Sequence, residues 1–80
     1  MVIVDGDKAY NLDFVSKMEV VKNQIVLTME NNDHIIKLKS LEQAKEVFFI
    51  INNNLDESVI SIQEILEEIE EEDPNEKTIN

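Results

Sequence analysis

Residues 56–73 read DESVISIQEILEEIEEED, and they combine an apolar stripe with most of the negative charge of this 80-residue chain. The apolar side chains recur at steps of three and four, which places them on one face of a helix. The residues of this stripe are Leu55, which lies just before the segment, and Val59, Ile62, Ile65, Leu66 and Ile69. The pattern predicts an amphipathic helix capped by Asp56 or Ser58. Pro74 disfavours helical geometry at the preceding residue, so the helix is expected to end near Glu72.

The acidic side chains of this segment have no basic neighbours in the sequence. Nine of its eighteen residues are Asp or Glu, and no Lys or Arg lies between Lys45 and Lys77. Like charges three or four residues apart repel by about 0.2–0.5 kcal/mol per pair, and acids at a helix C-terminus oppose the macrodipole. Helix stability does not explain these acids, so we interpret them as a binding surface. The predicted partner-binding residues are Glu57, Glu64, Glu67, Glu68, Glu70, Glu71, Glu72 and Asp73.

Length and charge restrict the class of protein. We expect one domain over residues 1–73, with a thin core, and a flexible polar tail at 74–80. The chain has no Cys, which fits a cytoplasmic setting, and its longest apolar run, residues 47–51, is too short to span a bilayer. Of the net charge of −11, residues 54–80 carry −9. This charge repels nucleic acid and anionic membranes and favours a basic protein partner, although solubility alone is the simpler alternative.

The N-terminal residues have the pattern of a β-hairpin. A short apolar run, residues 2–4, precedes Asp5-Gly6, a dipeptide suited to a two-residue turn, and residues 8–12 are expected to return as the second strand. Phe14 follows in a predicted bend, and we expect its side chain to be anchored in the core.

The next segment predicts a three-stranded antiparallel meander at about 17–22, 24–30 and 34–39, with two-residue turns at Lys22-Asn23 and Asn31-Asn32. This register sets Val20 opposite Ile25, Met18 opposite Leu27, Leu27 opposite Ile36 and Ile25 opposite Leu38. The other face of the meander is mixed, and it is expected either to lie under the N-terminal hairpin or to be a second contact surface. Its residues are Glu19, Val21, Val26, Thr28, Ile35, Lys37 and Lys39.

A helix is predicted to begin at Leu41, because Ser40 and Gln43 form a capping-box pattern. Its stripe should pack on the meander and consists of Leu41, Ala44, Phe48 and Ile51, flanked by Val47. Phe49 and Ile50 fall off this stripe and are expected to be covered by the following helix. The triplet at 52–54, Asn-Asn-Asn, favours a tight corner between two helices, whereas the continuous apolar spacing fits one long helix. Both alternatives give an α+β fold, a small antiparallel sheet packed by one or two C-terminal amphipathic helices.

No constellation in the sequence is typical of catalysis or of metal binding. His34 is the single His, and without a second His or any Cys it is predicted to be a solvated turn residue. One Gly cannot form a phosphate-binding loop. A straight acidic helix lacks both the cleft of a glycosidase and the looped ligands of a calcium site. We therefore expect no enzyme activity, no metal and no cofactor.

The acids of residues 56–73 have the spacing of a nucleic-acid mimic. On a helix they give about one charge per 3 Å, close to the roughly 3.4 Å between phosphates along one DNA strand. In size, acidity, lack of Cys and the run EEIEEED at 67–73, the chain resembles the small phage-borne inhibitors, including anti-CRISPR proteins, that block basic nucleic-acid channels. The resemblance implies a non-enzymatic inhibitor in the cytoplasm of a bacterial host. Such an inhibitor would bind a basic groove of a nucleic-acid-handling protein, without direct contact to nucleic acid or membrane.

The apolar stripe of the C-terminal helix supports an alternative function. An exposed stripe can pair with a second copy of the chain or with a partner helix, as in a structural or assembly module. Repulsion between the acids favours an antiparallel or heterologous arrangement of such a pair. We therefore expect a monomer or a weak homodimer.

Overall fold

A computed structural model describes residues 1–71 of the chain. Within this range the fold is α+β, with six strands in two three-stranded sheets and two helices, as predicted at the level of fold class. The elements are β1 (Val2–Asp5), β2 (Lys8–Asn11), a 3-10 turn (Leu12–Phe14), β3 (Val15–Val21), β4 (Gln24–Met29), β5 (Asp33–Lys37), α1 (Leu41–Asn53), β6 (Val59–Ser61) and α2 (Ile62–Glu71). The strand orders are β2-β1-β6 and β3-β4-β5. The predicted tail at 74–80 lies outside the described residues.

The N-terminal hairpin forms, but its turn lies one residue later than predicted. Asp5 pairs with Lys8, so Asp5 belongs to β1 and the two turn residues are Gly6 and Asp7. Gly6 has a φ of +66°, and a positive φ at the first central position is the pattern of a type II′ hairpin turn. Glycine is favoured at that first position, because other residues adopt this φ only with strain.

The predicted anchoring of Phe14 in the core is wrong. Phe14 is 72% exposed, whereas Leu12, two residues earlier, packs against the core. The Asn11 side chain accepts a hydrogen bond from the Asp13 N–H at 2.9 Å and thereby caps the 3-10 turn. Because this tight turn rotates successive side chains, it places Leu12 inward and Phe14 outward.

The first hairpin of the meander has the predicted register. Val20 lies opposite Ile25 and Met18 lies opposite Leu27. Lys22 occupies the first position of the two-residue turn with a φ of 57°. The apolar side chains of both strands therefore point to the same face, where they meet the core.

The second hairpin of the meander has a different register from the one predicted. Its turn lies one residue earlier, at Glu30 and Asn31, so Leu27 pairs with His34 rather than with Ile36. The change shifts the pairing by two residues, which leaves the same side chains on the same face because side chains alternate with a period of two. The apolar pattern is thus satisfied by both registers. In the observed register His34 lies opposite Leu27, one pair further from the turn than predicted, and on the core-facing side in either case.

Helix α1 begins at Leu41 as predicted. The Gln43 N–H donates to Ser40 Oγ at 3.1 Å, and Gln43 Oε1 accepts from the Lys39 N–H at 2.9 Å. The helix ends at the Asn triplet, where the Asn54 N–H donates to the Ile51 carbonyl at 3.1 Å. The side chains of Asn52 and Asn54 also donate hydrogen bonds to carbonyls of the final turn, which would otherwise have no partner. The predicted break into two helices is therefore confirmed.

The connection between the helices is not a tight corner. Residues 59–61 form β6, which pairs in parallel with β1, with Val59 opposite Val2 and Ser61 opposite Val4. Helix α2 consequently starts at Ile62, and Ser61 caps it by accepting from the Glu64 N–H at 3.3 Å, in place of the predicted caps further upstream. The β-branched run at 59–60 suits a strand, and β1 offers it an edge. The predicted helix end near Glu72 lies outside the described residues.

The core lies between the two sheets and the two helices. Its buried side chains are Ile3, Ile25, Leu27, Ile36, Leu38, Ala44, Val47, Ile51, Ile60, Ile62 and Ile65. The inner half of the predicted α2 stripe is therefore confirmed, with Leu66 and Ile69 partly buried beside it. Leu41 and Phe49, which were expected to be covered, are instead exposed, and so are Leu55 and Val59 at the start of the predicted stripe.

The outer face of the meander is partly exposed: four of its seven predicted residues are exposed, and Glu19, Val26 and Thr28 are half-buried. Val21 and Ile35 are among the exposed large apolar residues of the described chain. Lys17 and Glu19 form an ion pair on this face, with 2.9 Å between Nζ and Oε2. The hydrogen bond to Glu19 and the charge of that carboxylate raise the pKa of Lys17 above its ordinary value.

Candidate functional site

The structure separates the predicted partner-binding acids into three groups. Those exposed on α2, which we term the α2 acids, are Glu64, Glu67, Glu68 and Glu70. Glu57 was predicted on the same helix but lies in the loop between α1 and β6, because α2 begins five residues later. Glu71 is the last described residue of α2, and its side chain, with Glu72 and Asp73, lies outside the described part of the chain.

Three of the predicted acids meet around one groove, which we term the acidic groove. It lies between the end of α1, strand β6 and the first turns of α2, and its volume is about 200 Å³. Its lining includes Glu57, Glu64 and Glu68 together with Ile50, Ile60 and Ile65. The isoleucines are buried or half-buried and form its floor, whereas the glutamates are exposed and form its rim.

The rim of the acidic groove concentrates negative charge. Glu64 and Glu68 are four residues apart on α2 and thus project from the same helical face, and Glu57 joins them from the preceding loop. The groove has no Lys or Arg in its lining. Like charges at this spacing destabilise the unbound helix by about 0.2–0.5 kcal/mol per pair. A cation placed between them would remove this repulsion.

One α2 acid has a basic neighbour that the linear sequence does not reveal. Lys39, which follows β5, approaches Glu70 with 3.5 Å between Nζ and Oε2. Both side chains are more than half exposed, so the pair contributes little to stability. Glu70 is therefore partly neutralised, whereas Glu57, Glu64 and Glu68 have no salt bridge to any described residue.

His34 is not a solvated turn residue, as was predicted, but part of a half-buried cluster between the two sheets. Its Nδ1 lies 3.0 Å from the Tyr10 hydroxyl, and its Nε2 lies 2.7 Å from Asp5 Oδ2. The rings of Tyr10 and His34 also stack, with centroids 4.3 Å apart. In a neutral imidazole, Nε2–H donates to the carboxylate and Nδ1 accepts from the hydroxyl.

The Tyr10–His34–Asp5 cluster acts as a link within the fold. Both ring nitrogens of His34 have partners inside the molecule, and none of the three residues lines the acidic groove. Among the described residues, no group of three His, Asp or Glu side chains is arranged to hold a metal ion. The acidic groove with the neighbouring α2 acids is thus the best candidate for a functional site.

Sequence reasoning identified the acids of this site but not its floor. Ile60 was assigned to a helix rather than to β6, and Ile50 was expected under a second helix without any groove between them. The β-branched residues at 59–62 were the available signal, since such residues favour strands.

Comparison of the chain with protein-family models, with curated proteins and with solved structures finds no match. Neither helix of residues 1–71 is long and apolar enough to cross a membrane.

Proposed function

We propose that this chain is a non-enzymatic inhibitor whose acidic groove and α2 acids bind a basic groove of a nucleic-acid-handling protein. The observation that carries the proposal is the common placement of five exposed glutamates: Glu57, Glu64, Glu67, Glu68 and Glu70. Four of them lie on α2 and one lies in the loop before β6, and Glu57, Glu64 and Glu68 line the same groove. Phage-borne inhibitors of the anti-CRISPR type are the class that this chain resembles in size and composition.

Helix α2 is suited to present these charges rigidly. Ile62 and Ile65 on its inner side are buried in the core, and Ser61 caps its start. The backbone that carries the α2 acids is therefore already ordered when a partner binds, which lowers the entropic cost of association. A basic nucleic-acid channel would be attracted to this field over about a Debye length, roughly 8 Å at physiological salt, and the association should weaken as salt rises.

Charge reversal tests this proposal. The chain is first used to capture binding proteins from a bacterial lysate at low salt, and a recovered nucleic-acid enzyme is then assayed with and without it. A variant with Glu67, Glu68, Glu71 and Glu72 changed to Lys should no longer inhibit. A control with Asp7, Glu30, Glu42 and Glu46 changed to Lys alters the net charge equally at other exposed positions, and it should retain most of the inhibition. Unchanged inhibition by the first variant would sink the proposal.

Self-association through the apolar stripe is the second candidate function, and it has narrower support. Ile62 and Ile65 belong to the chain's own core, but Leu55 and Val59 are exposed. Any pairing would therefore use the residues at the start of the predicted stripe and not its centre. Sedimentation at low and high salt distinguishes the two candidates, because screening of the acids should favour an apolar dimer and weaken binding to a basic partner.

A further inference from the structure

We infer that strand β5 pairs with β5 of a second copy of this chain, which joins the two meanders into one six-stranded antiparallel sheet. This contact uses a different part of the molecule from the acidic groove and is independent of the proposed function. Three observations support it: the unpaired edge of β5, the order of charges along residues 33–37, and the contrast with β3 at the other edge of the same sheet.

The outer edge of β5 presents free backbone groups. The strand order β3-β4-β5 pairs β5 on one side only within the described chain. The Leu38 N–H donates to the Asn23 carbonyl at 2.9 Å, and hydrogen-bonded pairs alternate along an antiparallel ladder. Ile36 and His34 therefore direct their backbone groups toward β4. The residues that direct theirs away from β4 are Asp33, Ile35 and Lys37, and no contact with another described element satisfies these groups.

The side chains at this edge are complementary to those of a second copy. Residues 33–37 read DHIIK, and the side chains of Asp33, Ile35 and Lys37 share the exposed outer face. Antiparallel pairing centred on Ile35 sets Asp33 of each copy opposite Lys37 of the other. Two opposite-charge pairs then flank a contact between the two Ile35 side chains, each 43% exposed in the single chain. Directly opposed pairs of both kinds stabilise antiparallel sheets.

The backbone selects the same register as the charges. The three opposed positions are the ones whose backbone groups point outward, and each such pair exchanges two N–H···O bonds, which gives six bonds across the contact. A shift of one residue would oppose outward-pointing groups to residues bonded to β4. A shift of two residues would set Ile35 opposite Asp33 or Lys37 and lose the charge pairs. Only the register centred on Ile35 satisfies both requirements.

Strand β3, at the other edge of the meander, is less suited to such pairing. It contains a bulge between Val15 and Lys17. Bulges bend and twist an edge and are among the features by which proteins prevent edge-to-edge pairing. The Lys17 charge is also paired within the strand, with Glu19. Strand β5 has a continuous register with β4 and no Pro, so its edge is the regular one.

The expected dimer is weak and reversible. Five residues a side form an interface at the low end of known sizes, so we expect a Kd between about 10 µM and 1 mM. Sedimentation velocity over this range measures it. Physiological salt is the appropriate condition, because it screens the repulsion between two chains of net charge −11 beyond about 8 Å.

Amide hydrogen exchange of the wild-type chain locates the contact. In the single chain the amides of His34 and Ile36 are bonded to β4 and should be protected, whereas those of Asp33, Ile35 and Lys37 should exchange rapidly. At concentrations where the dimer forms, the Ile35 amide should become protected as well. Its exchange should slow by about tenfold or more between dilute and concentrated samples.

A pair of charge variants tests the register. Asp33→Lys and Lys37→Asp each place like charges in both charge pairs, so each should weaken self-association by about tenfold or more. An equimolar mixture should recover it to within about threefold of wild type, because a mixed dimer again has two opposite-charge pairs. The substitutions change the net charge of −11 by +2 and −2, to −9 and −13, so general attraction does not explain recovery. Glu46→Lys and Lys45→Asp, at exposed positions on α1, are the controls and should each dimerise normally.

Three results would overturn the inference. The first is a wild-type chain that remains monomeric up to about 1 mM. The second is a dimer that both β5 variants retain, which would place the contact at another surface, such as that of Leu55 and Val59. The third is a mixture of the two variants, each folded by circular dichroism, that stays monomeric. If either variant does not fold, an Ile35 amide whose exchange is independent of concentration overturns the inference on the wild-type chain alone.

Discussion

The His34 side chain on β5 contacts the Asp5 carboxylate on β1 across the two sheets, with 2.7 Å between Nε2 and Oδ2. The sheets have no strand in common, so this contact is a direct polar link between them. Tyr10 completes the link from β2 by stacking on the imidazole and bonding to its Nδ1. In a chain of this size, where the core is thin, one such link is expected to matter for stability.

Removing the carboxylate should destabilise the fold. Asp5→Ala leaves Nε2 of a half-buried imidazole without its partner, so we expect a loss of about 1–2 kcal/mol in the free energy of unfolding, measured by urea denaturation. Asp7→Ala in the adjoining turn is the control, because Asp7 is exposed and should change stability by less than about 0.5 kcal/mol. Equal effects of the two substitutions would show that the link is not formed.

The start of α2 can be tested at its cap. Ser61→Ala removes the side chain that accepts from the Glu64 N–H and should cost about 0.5–2 kcal/mol of stability. Ser58→Ala is the matched control, because Ser58 is exposed and precedes β6, and its expected effect is close to zero. A larger loss from Ser58→Ala would instead favour a helix that begins upstream, as the apolar spacing alone predicted.

The aromatic residues on the surface should be dispensable for folding. Phe14→Ser and Phe49→Ser should each change the free energy of unfolding by less than about 0.5 kcal/mol, since both rings are mostly exposed. Ile51→Ala should cost about 2–5 kcal/mol, because that side chain is fully buried. Chemical denaturation of the three variants checks the contrast. A loss of more than 2 kcal/mol from Phe14→Ser would place its ring in the core.

Local patterns in the sequence predicted the parts of the fold that depend on neighbouring residues. The capping box at Ser40, the turn at Lys22 and the register of the first meander hairpin are of this kind. The second hairpin was misplaced because both registers keep the apolar side chains on one face, so hydrophobic pattern cannot choose between them. Contacts of His34 with the other sheet accompany the observed register, and these contacts are distant in sequence.

Strand β6 and the acidic groove could not be predicted because both depend on contacts between residues that are distant in sequence. Residues 59–61 satisfy a helical spacing as well as a β-branched pattern, and the free edge of β1 is available to them only in the folded chain. The cluster of acids is evident from the sequence alone, and five of the eight acids predicted to bind a partner are exposed on the structure. The apolar floor beneath them could not be predicted without knowing the position of β6.

We propose that the acidic groove and the α2 acids occupy the nucleic-acid channel of a basic protein. The most direct test is competition: the captured enzyme is bound to a fluorescent DNA or RNA substrate, and this chain is titrated at several salt concentrations. We predict stoichiometric displacement of the nucleic acid by wild type, weaker displacement at higher salt, and none by the variant with Glu67, Glu68, Glu71 and Glu72 changed to Lys. A stable ternary complex of enzyme, nucleic acid and this chain would show that the chain does not occupy the nucleic-acid channel.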